Sequence, residues 1–194
     1  NDGSGVEASF VINVTDGKVA HYQFEEDLSD TLGISDSGVV TGDRITNTNG
    51  QISYSDGING QALVFDGKSG VRLPDGLISS PTYSVSLWLN PNEITTSTTS
   101  FFGARNETNW GSLVPGGWDE NKAMVWSGSQ RWYDGLTDFH MPTNEWTHVT
   151  YTVDNGALLI YINGEIAFEG DDFPNIFSTN NAVFSLGVNY WDLP

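Results

Sequence analysis

Apolar and polar side chains alternate with a period of two along much of this chain, in short runs divided by glycine, Asn-Gly and Asp-Gly. The cleanest run is residues 83–90. Tyr83, Val85, Leu87 and Leu89 fall on one side and Ser84, Ser86, Trp88 and Asn90 on the other, before Pro91 ends it. Residues 146–153 repeat the pattern with Val149, Tyr151 and Val153, and Asp154-Asn155-Gly156 turns the chain back into residues 157–162. Asn163-Gly164 is the strongest short hairpin signal and leads into residues 165–168. Residues 182–186 predict a last strand. In the first half, residues 19–24 predict a strand with Ala20, Tyr22 and Phe24 on one face. Residues 62–66 and 70–73 predict a hairpin across Gly67-Lys68-Ser69. No window sustains the spacing of an amphipathic helix. About a dozen short strands without a helix predict an all-β, antiparallel sandwich.

Residues 2–14 also alternate, with Val6, Ala8, Phe10, Ile12 and Val14 on one side and Asp16-Gly17 as the break. They are either the first strand of the same domain or the closing strand of a preceding module, which they resemble in its immunoglobulin-like or cadherin-like form. The expected organisation is residues 1–16 as a linker or such a strand and residues 17–194 as one domain. The opening at Asn1, without a leader, is read as the start of a piece of a longer protein.

Charge narrows the partners. The sequence holds 25 acids against 7 Lys plus Arg, a formal net charge of −18. Phosphate backbones and anionic lipid surfaces need a basic face, so nucleic acid and membranes are poor partners. No apolar run approaches the length of a membrane span. With 0 cysteines there is neither a disulfide framework nor a thiolate metal site.

Residues 109–134 concentrate the candidate chemistry. Four of the 7 tryptophans fall here, Trp110, Trp118, Trp126 and Trp132, interleaved with glycine and polar residues. An aromatic ring covers the flat C–H face of a sugar, and Asp, Asn and Arg bond its hydroxyl fringe. Arg105, Asn109, Trp110, Trp118, Asp119, Trp126, Arg131, Trp132, Tyr133 and Asp134 supply both, and Tyr190, Trp191 and Asp192 form a second cluster of the same kind. Trp126 and Trp132 are an even number of residues apart, so one unbroken strand would place them on the same face, but Gly128 interrupts it. Catalysis has weaker support. Glycoside hydrolysis needs two carboxyls held about 5–9.5 Å apart across the scissile bond, whereas the acids here are adjacent (Glu25-Glu26-Asp27) or sit at turns (Asp119-Glu120, Asp171-Asp172). His21, His140 and His148 lack metal-ligand spacing, and no nucleophile elbow is present. His148 reads as a packed residue beside Trp146, and His140 as a solvated loop residue.

The runs 83–91 (Tyr-Ser-Val-Ser-Leu-Trp-Leu-Asn-Pro), 144–151 (Asn-Glu-Trp-Thr-His-Val-Thr-Tyr) and 159–165 (Leu-Ile-Tyr-Ile-Asn-Gly-Glu) carry a further signal, joined by Asn59-Gly60-Gln61-Ala62-Leu63-Val64-Phe65-Asp66-Gly67. In order and spacing they resemble the laminin-G-like branch of the concanavalin A-like lectin/glucanase superfamily, over about residues 18–194. The resemblance implies a β-sandwich jelly roll, framework roles for Trp88 and Trp146, and a glycan site at the variable loops. It further implies a structural calcium ion, for which Glu25, Asp27, Asp30 and Asp66 are the candidate ligands. The family's central closing strand, Gly-x-Ile-Asp-Glu-Val, is not found before Pro194, so it is expected as a separate piece or as part of a longer chain. Three function classes follow. The first is a non-catalytic carbohydrate-binding module of a secreted or wall-attached bacterial multidomain protein, with polysaccharide or oligosaccharide and other domains of the polypeptide as its partners. The second is a calcium-stabilised adhesion module for a protein partner, and the third is a glycoside hydrolase.

Overall fold

The computed structural model describes residues 17–95, 99–118, 122–129 and 131–191. The expectation for residues 1–16 falls outside this range, as do Asp119 and Asp192. Among the described residues there are only strands, turns and loops, and no helix is long and apolar enough to cross a membrane.

Strands β1 (Val39–Thr41), β2 (Ile52–Asp56), β3 (Gln61–Phe65) and β4 (Gly70–Leu73) precede the long β5 (Thr82–Leu89). A meander follows, with β6 (Phe101–Asn106), β7 (Asn109–Val114), β8 (Lys122–Gly128) and β9 (Trp132–His140). The chain then forms β10 (Thr147–Asp154), β11 (Ala157–Ile162), β12 (Glu165–Gly170) and β13 (Val183–Leu186). They make a seven-stranded sheet in the order β1-β4-β13-β6-β7-β8-β9, a four-stranded sheet β12-β11-β10-β5 and a small β2-β3 ribbon. All the pairings are antiparallel. This is the expected all-β sandwich.

Period-two alternation builds the core between the two large sheets. Val149, Tyr151 and Val153 of β10 are buried, and they face Phe101, Leu113, Val125 and Phe184 of the larger sheet, with Phe173, Ile176 and Phe177 filling the end. The inner positions of β5, Tyr83 to Leu89, join this cluster as read from the sequence. The turns behave as expected too. Asn155, Gly156, Asn163 and Gly164 all have positive φ, which asparagine and glycine tolerate. β13 pairs with β4 on one side and β6 on the other, so it occupies a central place in the seven-stranded sheet. Gly103 lies beneath it because a Cβ there would come within 2.6 Å of Phe177 and 2.8 Å of Phe184.

Several expectations in the first half are corrected. Residues 19–24 form no strand; Tyr22 makes a single bridge to Asp30. Phe24 and Glu26 adopt positive φ, which no extended strand permits. Residues 62–66 and 70–73 are not a hairpin. β3 pairs with β2, whereas β4 joins the large sheet between β1 and β13. The switch occurs at Asp66-Gly67-Lys68, where the Asp66 carboxylate accepts the Lys68 N–H at 2.8 Å and Gly67 has φ 73°.

Trp88 lies on the side of its strand that the alternation predicts, and His148 is packed as read. Both take the outer phase of their strands, and their rings meet across β5 and β10 at 4.8 Å. His148 therefore packs on Trp88, which remains 47% exposed. The inward phase of β10 already belongs to Val149, Tyr151 and Val153, which sends position 148 outward.

Candidate functional site

The same alternation that sends Phe101, Leu113 and Val125 into the core sends Phe102, Trp110 and Trp126 through the opposite face of the meander. There they form a second cluster with Ala104, Ile45 and Val188, closed by Tyr190. Register brings the aromatic residues together. Ala104 pairs with Trp110, Ser112 with Trp126, Trp126 with Asp134 and Gly128 with Trp132. Trp126 and Trp132 thus share a face because two strands fold back on each other, not because one strand runs through both.

The rings meet edge to face. Trp126 lies 5.2 Å from Trp110 and 5.4 Å from Trp132, at 79° and 88°, the geometry that the indole quadrupole favours. Trp191 reaches Trp110 at 5.5 Å and Phe102 at 6.0 Å. Phe102, Trp110, Ser112, Trp126, Asn189 and Trp191 line a recess of about 230 Å³. Trp110 is its buried floor, whereas Trp132 and Trp191 are 56% and 40% exposed and present open ring surface.

Fixed hydrogen bonds hold the rim. The Trp132 Nε1–H donates to Asp134 Oδ1 at 2.8 Å. The Trp191 N–H donates to Asn189 Oδ1 at 2.7 Å, while Asn189 Nδ2 donates to Thr99 Oγ1 at 2.8 Å. Asn189 is only 3% exposed and ties the C-terminal run to the sheet. Trp126 Nε1 is shielded from solvent and has no hydrogen-bond partner among the described residues.

Gly128 makes the recess possible. A Cβ at this position would lie 2.4–2.6 Å from atoms of the Trp110 indole, which is wedged among Phe102, Trp126, Trp132 and Trp191 and cannot give way. Gly128→Ala is expected to destabilise the fold by about 1–3 kcal/mol, the usual cost of overpacking. It should also displace Trp110, and melting together with near-ultraviolet circular dichroism measures both effects.

The sequence-predicted residues divide between several places. Trp110, Trp126, Trp132, Asp134, Tyr190 and Trp191 converge. Tyr133 does not: it takes the inner phase of β9 and packs edge-on against Phe173 at 5.2 Å. Burial, with Asp171 and Asp172 adding to it, raises its phenol pKa. Trp118 is exposed in the β7–β8 connection, at the end of these strands remote from Trp110, and among the described residues no ring contact joins it to the cluster. Arg131 points to Asp172 at 3.1 Å, and Asn109 bonds Asn106 within the β6–β7 turn. Arg105 lies beside Tyr190 in a shallow shelf with Asn106, Glu107 and Thr108. Sequence reasoning passed over Phe102 and read Gly128 only as a strand break. The available signal was the Phe101-Phe102 pair, since adjacent strand residues must serve opposite faces.

The four calcium candidates do not form a donor set. The Asp30 carboxylate accepts four backbone N–H groups, from His21 and Leu32 on Oδ1 and from Ile34 and Ser35 on Oδ2, at 2.7–3.1 Å. Asp27 is bonded by Ser29, Glu25 by the Gln61 N–H and Asp66 by the Lys68 N–H. Among the described residues no three His, Asp or Glu side chains converge. Asp30 is instead an anionic pin for its loop. Desolvation pushes its carboxyl up, but the N–H groups of Ser35, His21, Ile34 and Leu32 outweigh it and hold the pKa at about 2, below the ordinary 3.8. The folded value is the lower one, so this stabilisation is present above the ordinary aspartate range and is lost as pH falls through about 2. Asp30→Asn is expected to lower the melting midpoint at neutral pH, with the difference closing near pH 2.

Fold and aromatic face together define a lectin-like β-sandwich. The sequence model described as concanavalin A-like lectin/glucanases superfamily matches residues 65–194. The chain belongs to that family. Among solved structures it is similar to domain 4 of AbnA, a GH43 extracellular arabinanase from Geobacillus stearothermophilus, in complex with arabinotriose. The identity is 54% over 92% of this chain and 86% of that one, with a TM-score of 0.89. The structure titled for the dependence of botulinum neurotoxin type C cell entry on two ganglioside molecules shares 14% identity over 90% of this chain and 43% of that one, at a TM-score of 0.58. The binding domain of Paraclostridial Mosquitocidal Protein 1 shares 13% over 82% and 45%, at 0.53. These last two show the fold alone. No curated protein sequence matches the chain.

Proposed function

We propose that this chain is a non-catalytic carbohydrate-binding module that takes arabino-oligosaccharides on the outer face of its seven-stranded sheet. The observation that carries the reading is the pair of exposed indoles, Trp191 in the lining of the recess and Trp132 packed against the Trp110 and Trp126 rings that also line it. Such rings offer preformed apolar platforms at little entropic cost. The relative in complex with arabinotriose supports the sugar class. The recess lining contains aromatic rings, one serine and one asparagine but no carboxylate, and Asp134 beside it is engaged by Trp132. Among the described residues, no pair of opposed acids for hydrolysis lines the recess.

In this reading the module belongs to a secreted or surface-attached bacterial protein and keeps attached domains near polysaccharide. For calcium we propose no site built on Glu25, Asp27, Asp30 and Asp66, since among the described residues no three acids converge and both Asp30 oxygens accept N–H groups. A fall in melting midpoint on chelation would show an ion held by other groups. The functional test is calorimetric titration with arabinotriose, with sugar products followed in the same samples. Binding without product formation is expected; product formation, or no binding, would overturn the reading.

A further inference from the structure

The shelf beside the recess has its own chemistry. Residues of β6 and β7 pair regularly up to Ala104 and Trp110, and the next pair is Asn106 with Asn109. Arg105 is the extra residue between them, released from the ladder by a bulge that re-aims its side chain. It lines an open concavity of about 510 Å³ with Asn106, Glu107, Thr108 and Tyr190. The floor is stiff, because Asn106 Oδ1 accepts the Thr108 N–H, the Thr108 hydroxyl and Asn109 Nδ2, each at 3.0 Å.

Two features mark this shelf as more than a turn. Among the described residues Arg105 has neither an ion-pair nor a hydrogen-bond partner, although the chain carries 25 acids against 7 Lys plus Arg. The guanidinium fork is thus free to donate. Tyr190 also joins the shelf to the recess directly. Its ring lies 5.6 Å from Phe102 and 5.5 Å from Trp191, both of which line the recess. Burial, with Glu107 and Asp75 adding to it against Arg72, raises the Tyr190 pKa, so its hydroxyl keeps its proton through neutral pH.

We propose that the Arg105 shelf is a second subsite, which takes the next neutral sugar unit of a chain seated on the tryptophan recess by hydrogen-bonding its hydroxyls. The proposal rests on the carbohydrate reading above and assigns to the shelf the dependence of affinity on chain length. The ligand is a neutral glycan, because the net charge of −18 repels polyanions at long range. The donors are the Arg105 fork and the Tyr190 hydroxyl.

The experiment is calorimetry of the whole chain with arabinobiose, arabinotriose and longer arabino-oligosaccharides, on wild type, Arg105→Met and Arg105→Lys, each checked by melting. Affinity in wild type is expected to rise with length by about tenfold or more, the worth of hydrogen bonds to a charged donor. Arg105→Met should flatten the rise, and Arg105→Lys should flatten most of it, since a single ammonium lacks the fork. A rise that both variants leave intact, or an equal loss at every length, overturns the shelf while the recess reading stands. Absence of binding at every length overturns both. If Arg105→Met does not fold, the lysine variant decides alone.

Discussion

Replacing Trp132 with alanine is expected to weaken arabinotriose binding about thirtyfold or more, and replacing Trp132 and Trp191 together should take binding below calorimetric detection. The estimate follows from the exposure of the two rings, Trp191 lining the recess and Trp132 beside it against Trp110 and Trp126. Truncating a central tryptophan of a binding surface typically costs about 2 kcal/mol or more, and each 1.4 kcal/mol or so is tenfold in affinity. The two losses will not add simply, since both rings contact Trp110. Both side chains are outside the main core, so the melting midpoint should move far less than the affinity. Trp118→Ala is the internal control, since that indole is exposed but remote. Equal losses from Trp118→Ala and Trp132→Ala would contradict the placement of the site.

Phe184→Ala should have the largest effect on stability. Phe184 is completely buried on β13, with Phe177 at 5.2 Å and Phe101 at 6.0 Å, and it packs over Gly103. Deleting the ring removes its contacts with Phe101, Phe177 and the Gly103 backbone at once. Large-to-small core substitutions of this kind cost about 3–5 kcal/mol. For a domain of this size that corresponds to a fall in melting midpoint of roughly 10 °C. Since β13 links β4 to β6 and the Asn189–Trp191 run follows it, the variant should also weaken sugar binding. Thermal melting measures the first effect and titration the second; an unchanged midpoint would show that the ring is not a core element.

How far these features could be read from the sequence depends on which faces of a strand are buried. β5, β10, β11 and β12 were legible because one face meets the core and the other meets water, and because Asn155-Gly156 and Asn163-Gly164 fix the hairpin phase. β7 and β8 were not, since they are covered on both sides: five of the six residues of β7, from Trp110 to Val114, are buried. Alternation vanishes there, so the stretch holding the tryptophans looked like loops around one strand. Residue type still identified Trp110, Trp126, Trp132 and Trp191. Without the strand phase, however, Tyr133 could not be assigned to the core or Trp118 to a remote turn. Asp30 shows a different limit of the sequence. Acidic residues in a loop read alike whether their oxygens wait for a cation or already accept N–H groups.

The packing of Trp110, Trp126, Trp132 and Trp191 against one another has an optical consequence. Four of the chain's 7 indoles form one contiguous cluster, Trp126, Trp132 and Trp191 each against Trp110, close enough for their excited states to couple. Trp88, by contrast, lies on the opposite sheet against an imidazole. The near-ultraviolet dichroism and much of the emission of this protein therefore originate at one patch of its surface, which makes that patch a built-in, label-free reporter of its own occupancy.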